Sequence, residues 1–283
     1  MTRVTAVRFV DVFSDTSFQG NALAVVHDAD AFTDEEMLAV ARWTNLSETT
    51  FLCAPTRAGA DYRVRIWTIG GELPFAGHPT LGSAHAWLES GGVPGREDVV
   101  VQECAAGLVE VRRDEGRLGF AAPPLTRSGP VDEVELTRVV DALGLEPADV
   151  LDASWVDNGP GWLGLLLRSP EVVLGVDPDP TKAAGMKLGL AAVYPQGTRD
   201  DGVGLEVRAF YADDAGFGED PVTGSLNAGL AQWLVPAEHL PSRYVAAQGA
   251  VVGRLGRVHV SVEDGTTWVG GTTRTLVSGA LTP

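Results

Sequence analysis

Two segments of the chain set a titratable side chain, a proline and a Gly-Ser pair in the same order. One is His78-Pro79-Thr80-Leu81-Gly82-Ser83 and the other Asp220-Pro221-Val222-Thr223-Gly224-Ser225, each running into an apolar stretch of helical character. Proline suits the first helical turn, where its missing N–H costs nothing. The N–H groups left over in that turn, with the positive end of the helix dipole, bind carboxylates or phosphates. Gly82 and Gly224 carry no side chain, so a ligand can approach the backbone there, and Ser83 and Ser225 each add a hydroxyl donor. Two such helix starts facing each other would hold a small carboxylate on one side. The other would stabilise enolate-like charge with no metal.

Three titratable residues are candidates for moving a proton. His78 titrates near neutrality, and a helix start favours its neutral form; the alternative is a capping or packing histidine. Asp220 fits two roles as well, a helix N-cap or a substrate group whose neighbour Glu219 raises the pKa of one of the two carboxyls. Glu48 stands in Asn45-Leu46-Ser47-Glu48-Thr49-Thr50-Phe51-Leu52 between a helix and a strand. Partial burial there would make it more basic, although composition alone reads it as a solvated loop carboxylate. The matching junction of the second half, Lys187-Leu188-Gly189-Leu190, has no carboxylate, which implies one main base. His27, His85, His239 and His259 have no comparable context and read as structural.

The elements expected to hold these residues repeat across the chain. In the first half, strands at Val4 to Phe13 and Asn21 to Val26 precede a helix opened by a capping box, Thr33-Asp34-Glu35-Glu36. Strands at Thr49 to Cys53 and Tyr62 to Ile69 follow. The turn at Gly77-His78-Pro79 begins a helix that ends near Gly91, and strands lie near Val99, Val109 and Leu118. Prolines from Ala121 to Pro130 read as a connection. The second half has a strand at Trp162 to Leu167 and a helix from Pro180 to about Leu188. Strands at Leu190 to Tyr194 and Leu205 to Tyr211 precede a helix after Asp220-Pro221 that runs to about Leu234. Short strands near Val245, Val258 and Trp268 close the chain. This matching order predicts two similar lobes, with boundaries at 1–125 and 126–283 and with the last strand free to cross back to the first lobe.

Bulk properties narrow the function classes. With 283 residues, the chain can hold two modest domains. A formal net charge of -17, with no basic run to offset it, repels phosphate backbones and argues against nucleic-acid binding. No stretch approaches the roughly 20 apolar residues of a membrane span. The N-terminus enters a strand directly, without a signal-peptide core, so a cytoplasmic protein is expected. Cys53 and Cys104 are too few for a disulfide framework or a cysteine-built zinc site. No His/Asp/Glu cluster has ligand spacing, and no Gly-rich stretch forms a nucleotide fingerprint. These residues predict neither a metal site nor a dinucleotide-binding site.

Several longer motifs resemble the PhzF-like phenazine-biosynthesis family. They are Asn45-Leu46-Ser47-Glu48-Thr49, Glu72-Leu73-Pro74-Phe75-Ala76-Gly77-His78-Pro79-Thr80-Leu81-Gly82 and Glu219-Asp220-Pro221-Val222-Thr223-Gly224-Ser225. Asp11-Val12-Phe13 with Gly20-Asn21, the Asn158-Gly159-Pro160 turn and the Gln248-Gly249 to Gly270-Gly271 tail also fit, so the resemblance spans nearly the whole chain. One departure is Asn21-Ala22, where many relatives carry Asn-Pro. The resemblance implies an α+β diaminopimelate-epimerase-like fold. It has two pseudo-symmetric lobes, each a mostly antiparallel, barrel-like sheet wrapped around a central helix. It implies a cofactor-independent isomerase, commonly a homodimer, acting on a small anionic substrate in the interlobe cleft. Residue by residue, it implies Glu48 as the carbon acid/base, with His78 and Asp220 binding and polarising the substrate. Ser47, Gly77, Gly224 and Ser225 would line the same pocket.

Three functions compete. The first is an isomerase that moves a proton between carbons of a small amino or hydroxy carboxylic acid. The second is a racemase or epimerase of the related fold, whose cofactor-independent members use one thiol from each lobe. Neither helix-start turn here carries a cysteine, which disfavours it. The third is a non-catalytic metabolite-binding protein that keeps the fold.

Overall fold

A computed structural model describes residues 4–114, 116–195, 197–213 and 216–282, the side chain of residue 213 excepted. The chain divides into two compact units, Met1–Ala121 with Gly270–Pro283, and Ala122–Val269. Both are rich in strands with few helices, and no helix among the described residues is long and apolar enough to cross a membrane.

The first unit contains β1 (Thr5–Val12), β2 (Asn21–Val26), α1 (Asp34–Thr44), β3 (Glu48–Cys53), β4 (Tyr62–Thr68), β5 (Gly71–Leu73), α2 (Gly77–Glu89), β6 (Val99–Cys104), β7 (Gly107–Asp114) and β8 (Arg117–Ala121). From the far end of the chain, β18 (Thr273–Leu281) pairs antiparallel with β1. Pairing is antiparallel for β1–β2, β3–β4 and β6–β7, but parallel for β2–β3 and β4–β6. α1 begins with the expected capping box: Glu36 N–H donates to Thr33 Oγ1 and Thr33 N–H to Glu36 Oε2. α2 carries small and apolar residues along most of its length, the pattern of a largely buried helix. Gly77 through Ala84 are all buried, and α2 packs on β1, β2, β3, β8 and β18.

The second unit contains β9 (Arg127–Pro130), α3 (Glu133–Leu143), β10 (Val150–Asp157), β11 (Leu163–Leu167), α4 (Pro170–Gly175), β12 (Lys187–Val193), β13 (Val203–Asp213), β14 (Gly216–Asp220), α5 (Gly224–Leu234), β15 (Arg243–Gln248), β16 (Gly256–Glu263) and most of β17 (Thr266–Gly271). The pairing scheme repeats that of the first unit. β10–β11, β12–β13 and β15–β16 are antiparallel, whereas β11–β12 and β13–β15 are parallel. α5 is the counterpart of α2: buried along most of its length and packed on β10 and β16.

Four expectations from sequence fail. The stretch after Ala121 is not a plain connection, because β9 pairs with β10 and Asp132 caps α3, accepting from Glu135 N–H. No helix runs from Pro180 to Leu188. Asp179 Oδ1 accepts from Thr181 and Lys182 N–H to make a tight turn, and Gly185 at φ 74° ends it before β12 starts at Lys187. The helix of that region is α4, opened by Ser169 and Pro170. Asp220 does not fill the role of helix N-cap: it ends β14, a strand that pairs with β13, and the N-cap of α5 is Thr223.

The fourth failure concerns the duplicated turns. α2 begins at Gly77 and α5 at Gly224, so Gly224 corresponds to Gly77 and not to Gly82. On that register Ser225 matches His78, Asn227 matches Thr80, and Gly229 matches Gly82. Gly82 offers no space to a ligand: a Cβ there would lie 2.5 Å from Leu23 Cδ2 and 3.1 Å from Val12 Cγ2. A Cβ on Gly229 would lie 2.3 Å from the Val156 carbonyl oxygen. Each glycine thus lets its central helix press onto the first strands of its own unit. Ser83 is equally internal, donating to Thr50 Oγ1 at 2.9 Å.

Candidate active site

The first unit brings Glu48 and His78 together. Glu48 is the first residue of β3, and the parallel register places it beside Leu23 of β2. His78 is the second residue of α2, one helical turn ahead of Gly82 and on the same face. Because Gly82 seats α2 closely on Leu23, the imidazole reaches the neighbouring residue and hydrogen-bonds the Ala22 backbone. That bond favours the protonated ring, so the partner is the Ala22 carbonyl and a ring N–H donates to it. The other nitrogen, Nε2, is buried and makes no hydrogen bond. It lies 3.4 Å from Glu48 Oε2, with the two side chains 5% and 15% exposed. Burial pushes the His78 pKa from 6.5 down to about 3, only partly opposed by the Ala22 bond. At neutral pH the ring is therefore neutral, with Nδ1–H fixed on Ala22 and the Nε2 lone pair facing the carboxyl of Glu48.

Ser47 lies exposed in the turn before Glu48, and Gly77 is buried in the first turn of α2. α2 leaves the N–H groups of Gly77 and His78 without intrahelical acceptors, since the first bond of the helix runs from Thr80 N–H to Ala76 O.

The second unit holds Asp220, Gly224 and Ser225. Asp220 is not the cap of α5, whose N-cap is Thr223. Its Oδ2 accepts instead from Thr223 Oγ1 at 2.6 Å. Glu219 does not join Asp220 as a carboxylate pair. Neighbouring strand residues point to opposite faces, and Glu219 is bound by the buried Arg208, Nε to Oε1 at 3.0 Å and Nη2 to Oε2 at 2.7 Å. Gly224 is buried, and Ser225 is half-buried at the position matching His78. Trp162 Nε1 donates to Ser225 Oγ at 2.9 Å, so the serine proton is left to donate elsewhere. Asn158 Nδ2 donates to the Ser225 carbonyl at 2.9 Å, which gives the Asn158-Gly159-Pro160 turn a structural task.

Two of the other histidines have local structural partners. His85 lies within α2 near Thr275, with Nε2 and Oγ1 at 3.1 Å, and His27 lies 3.3 Å from Arg8. Cys53 and Cys104 are buried on β3 and β6, and burial raises both thiols. A thiolate pair at the helix starts is absent, as the sequence suggested. A cavity of about 420 Å³ in the second unit is lined by Trp155, Asp152, Gln232 and Trp233, near the far end of α5. It contains none of the residues singled out from sequence.

The family model for phenazine biosynthesis-like proteins matches residues 10–282. The chain belongs to that family. It is 34% identical to antisense-enhancing sequence 1 of Schizosaccharomyces pombe over 95% of this chain and 96% of that one. It is 30% identical to the trans-2,3-dihydro-3-hydroxyanthranilate isomerase of Pseudomonas aeruginosa, covering 90% of this chain and 89% of that one. A crystal structure of a PhzF-family phenazine biosynthesis protein from Bacillus anthracis superposes with a TM-score of 0.81 at 21% identity, over 99% of both chains. A hydroxyproline epimerase from Agrobacterium vitis shares the fold more distantly, with a TM-score of 0.59 at 13% identity over 100% of this chain and 94% of that one. This family member is an enzyme of the isomerase class.

Sequence reasoning missed Ala22, Thr223, Arg208 and the role of Gln248. Ala22 acts through its backbone carbonyl, which no side-chain motif can announce. Thr223 and Gln248 stood inside quoted motifs with no role attached to them, and Arg208 signalled itself only as a charged residue inside an apolar strand.

Proposed function

We propose that this enzyme moves a proton between carbons of a small amino or hydroxy carboxylic acid, with Glu48 as the acid/base. The supporting observation is the buried Glu48 Oε2–His78 Nε2 approach at 3.4 Å, with the imidazole held neutral. Glu48, as carboxylate, takes a proton from one carbon and leaves an enolate or its aza counterpart on the substrate. The new carboxylic acid can then donate its O–H to Nε2, a bond that exists only after proton removal. An interaction formed only on the way to the intermediate accelerates the step rather than tightening ground-state binding. Return of the same proton to a neighbouring carbon on the same face regenerates the carboxylate. General acid–base catalysis of this kind contributes roughly 10²–10⁴-fold.

Asp220, Ser225 and the helix starts at Gly77 and Gly224 serve the same substrate in this reading. Their N–H groups and the Ser225 hydroxyl bind its carboxylate and developing negative charge, and Asp220 orients its amino or hydroxyl group. The family's two-lobed, homodimeric arrangement belongs to this proposal, as does chemistry without a cofactor. The neutral His78 gives the protonated Glu48 a hydrogen-bond acceptor, and the carboxyl itself holds the proton in transit.

The substrate named for the Pseudomonas aeruginosa relative, trans-2,3-dihydro-3-hydroxyanthranilate, is the first probe, followed by a panel of small amino and hydroxy acids in deuterated water. Wild type should exchange a carbon-bound proton of one of them. Glu48→Gln should abolish the exchange while ligand binding largely survives. Exchange at the wild-type rate in Glu48→Gln would remove the base from this scheme.

A further inference from the structure

Gln248 ends β15 and is buried, 1% exposed, beneath the turn that carries Asp220. Its amide makes four hydrogen bonds. Nε2 donates to the Asp220 carbonyl at 3.0 Å and to Thr223 Oγ1 at 2.9 Å. Oε1 accepts from Thr223 N–H at 3.0 Å and from Asn227 Nδ2 at 3.0 Å. Two of these partners are backbone groups of fixed polarity, a carbonyl and an N–H, so only one orientation of the amide satisfies them. That orientation sets the Thr223 hydroxyl: it receives a proton from Gln248 and must direct its own at Asp220 Oδ2, 2.6 Å away.

The first unit contains only part of this arrangement. Gln102 of β6, also buried, donates from Nε2 to Thr80 Oγ1 at 3.0 Å, and Thr80 Oγ1 donates to the Ala76 carbonyl at 2.9 Å. There the relay stops on a backbone carbonyl and only anchors the start of α2. On the same register Asn227 matches Thr80, and its Nδ2 likewise donates to the Thr223 carbonyl at 2.9 Å. The second unit keeps that anchor and adds a branch, through the Thr223 hydroxyl, that stops on a carboxylate.

We propose that Gln248 is a positioning residue for Asp220. Acting through the Thr223 hydroxyl, it fixes the carboxylate in one rotamer and makes Oδ2 an obligate acceptor. The proposal rests on the reading that Asp220 orients the substrate. Gln248→Glu keeps the size of the side chain and both acceptor bonds, but it cannot donate, so the Thr223 proton is free to turn away from Asp220. Thr223→Val removes the hydroxyl at nearly constant volume, and Thr223→Ser restores it.

With trans-2,3-dihydro-3-hydroxyanthranilate as probe, Gln248→Glu and Thr223→Val should each lower kcat by about tenfold or more, the scale of one hydrogen bond to a charged group. Thr223→Ser should recover most of the loss, and the double variant should be no slower than Thr223→Val alone. Independent, additive losses, or wild-type kcat in a folded Thr223→Val, would overturn the proposal. If instead Glu48→Gln leaves turnover intact, it is the catalytic reading that fails. A crystal structure of Thr223→Val tests the positioning without turnover: the Asp220 carboxylate should leave its rotamer, and an unmoved carboxylate would overturn the role given to Gln248.

Discussion

Arg208 and Glu219 meet as a buried, two-pronged ion pair, 4% and 9% exposed, immediately before Asp220. Arg208 Nη1 also donates to the carbonyls of Val173 at 3.1 Å and Val176 at 2.5 Å, at the end of α4. One guanidinium therefore ties β13, β14 and α4 together and removes Glu219 from the neighbourhood of the Asp220 carboxyl. Taking away one partner of a buried pair leaves the other charge without its counterion and costs about 3–5 kcal/mol. Arg208→Met should show a loss of that size in urea unfolding. Adding Glu219→Leu should recover part of it, because no buried carboxylate is then stranded. Strictly additive losses in the double variant would mean that the pair is not coupled as its geometry requires.

Stability should also depend on pH through His78. Below about pH 6.5 the unfolded chain binds a proton on this residue, while the buried ring resists it down to about 3. Stability from the neutral, buried ring is thus fully present above the unfolded pKa and declines as pH falls through that window. The slope from one such group is at most about 1.4 kcal/mol per pH unit. His27 and His85 are also lowered, chiefly by burial, and add a decline of the same sign. Between about pH 7.5 and about pH 5, His78→Asn should lose less stability than wild type loses. Parallel curves for the two proteins would show that His78 does not carry the effect.

What the sequence could reveal follows from how local each signal is. The capping box at Thr33 to Glu36 and the strand at Asn21 to Val26 are written in neighbouring residues, and both occur as read. The helix expected after Pro180 fails because the Asp179 turn and Gly185 outweigh a weak apolar spacing. Glu48 and His78 were each visible as candidates, but their approach depends on the parallel β2–β3 register and on the seating of α2, neither of which a motif encodes. The doubled Pro-x-x-Gly-Ser pattern was a real cue to repetition with a false register. Gly77 and Gly224 are the helix starts, and Gly82 serves packing. Gln248 was quoted only as part of a motif, since its four bonds join a strand end to a turn more than twenty residues earlier.

The corrected register makes Gly82 and Gly229 a matched pair with unequal consequences. Alanine at Gly229 would drive a methyl to within 2.3 Å of the Val156 carbonyl oxygen, a backbone atom that cannot rotate away. Alanine at Gly82 meets the ends of the Leu23 and Val12 side chains, at 2.5 Å and 3.1 Å, which can give. Overpacking of this kind costs about 1–3 kcal/mol, with Gly229→Ala at the upper end and Gly82→Ala nearer the lower. Their effects on chemistry should be reversed. Gly82 lies one turn below His78 on the face that seats α2 against β2, so moving it lifts the imidazole from Ala22 and from Glu48. A misplacement of about 1 Å can cost about a hundredfold in rate. Gly82→Ala should therefore retain most of the thermal stability and lose turnover. Gly229→Ala should melt earlier, with less effect on turnover in the fraction that stays folded. Melting curves and exchange rates measured on the same preparations decide it. Full activity in Gly82→Ala would show that the seating of α2 does not set the distance between His78 and Glu48.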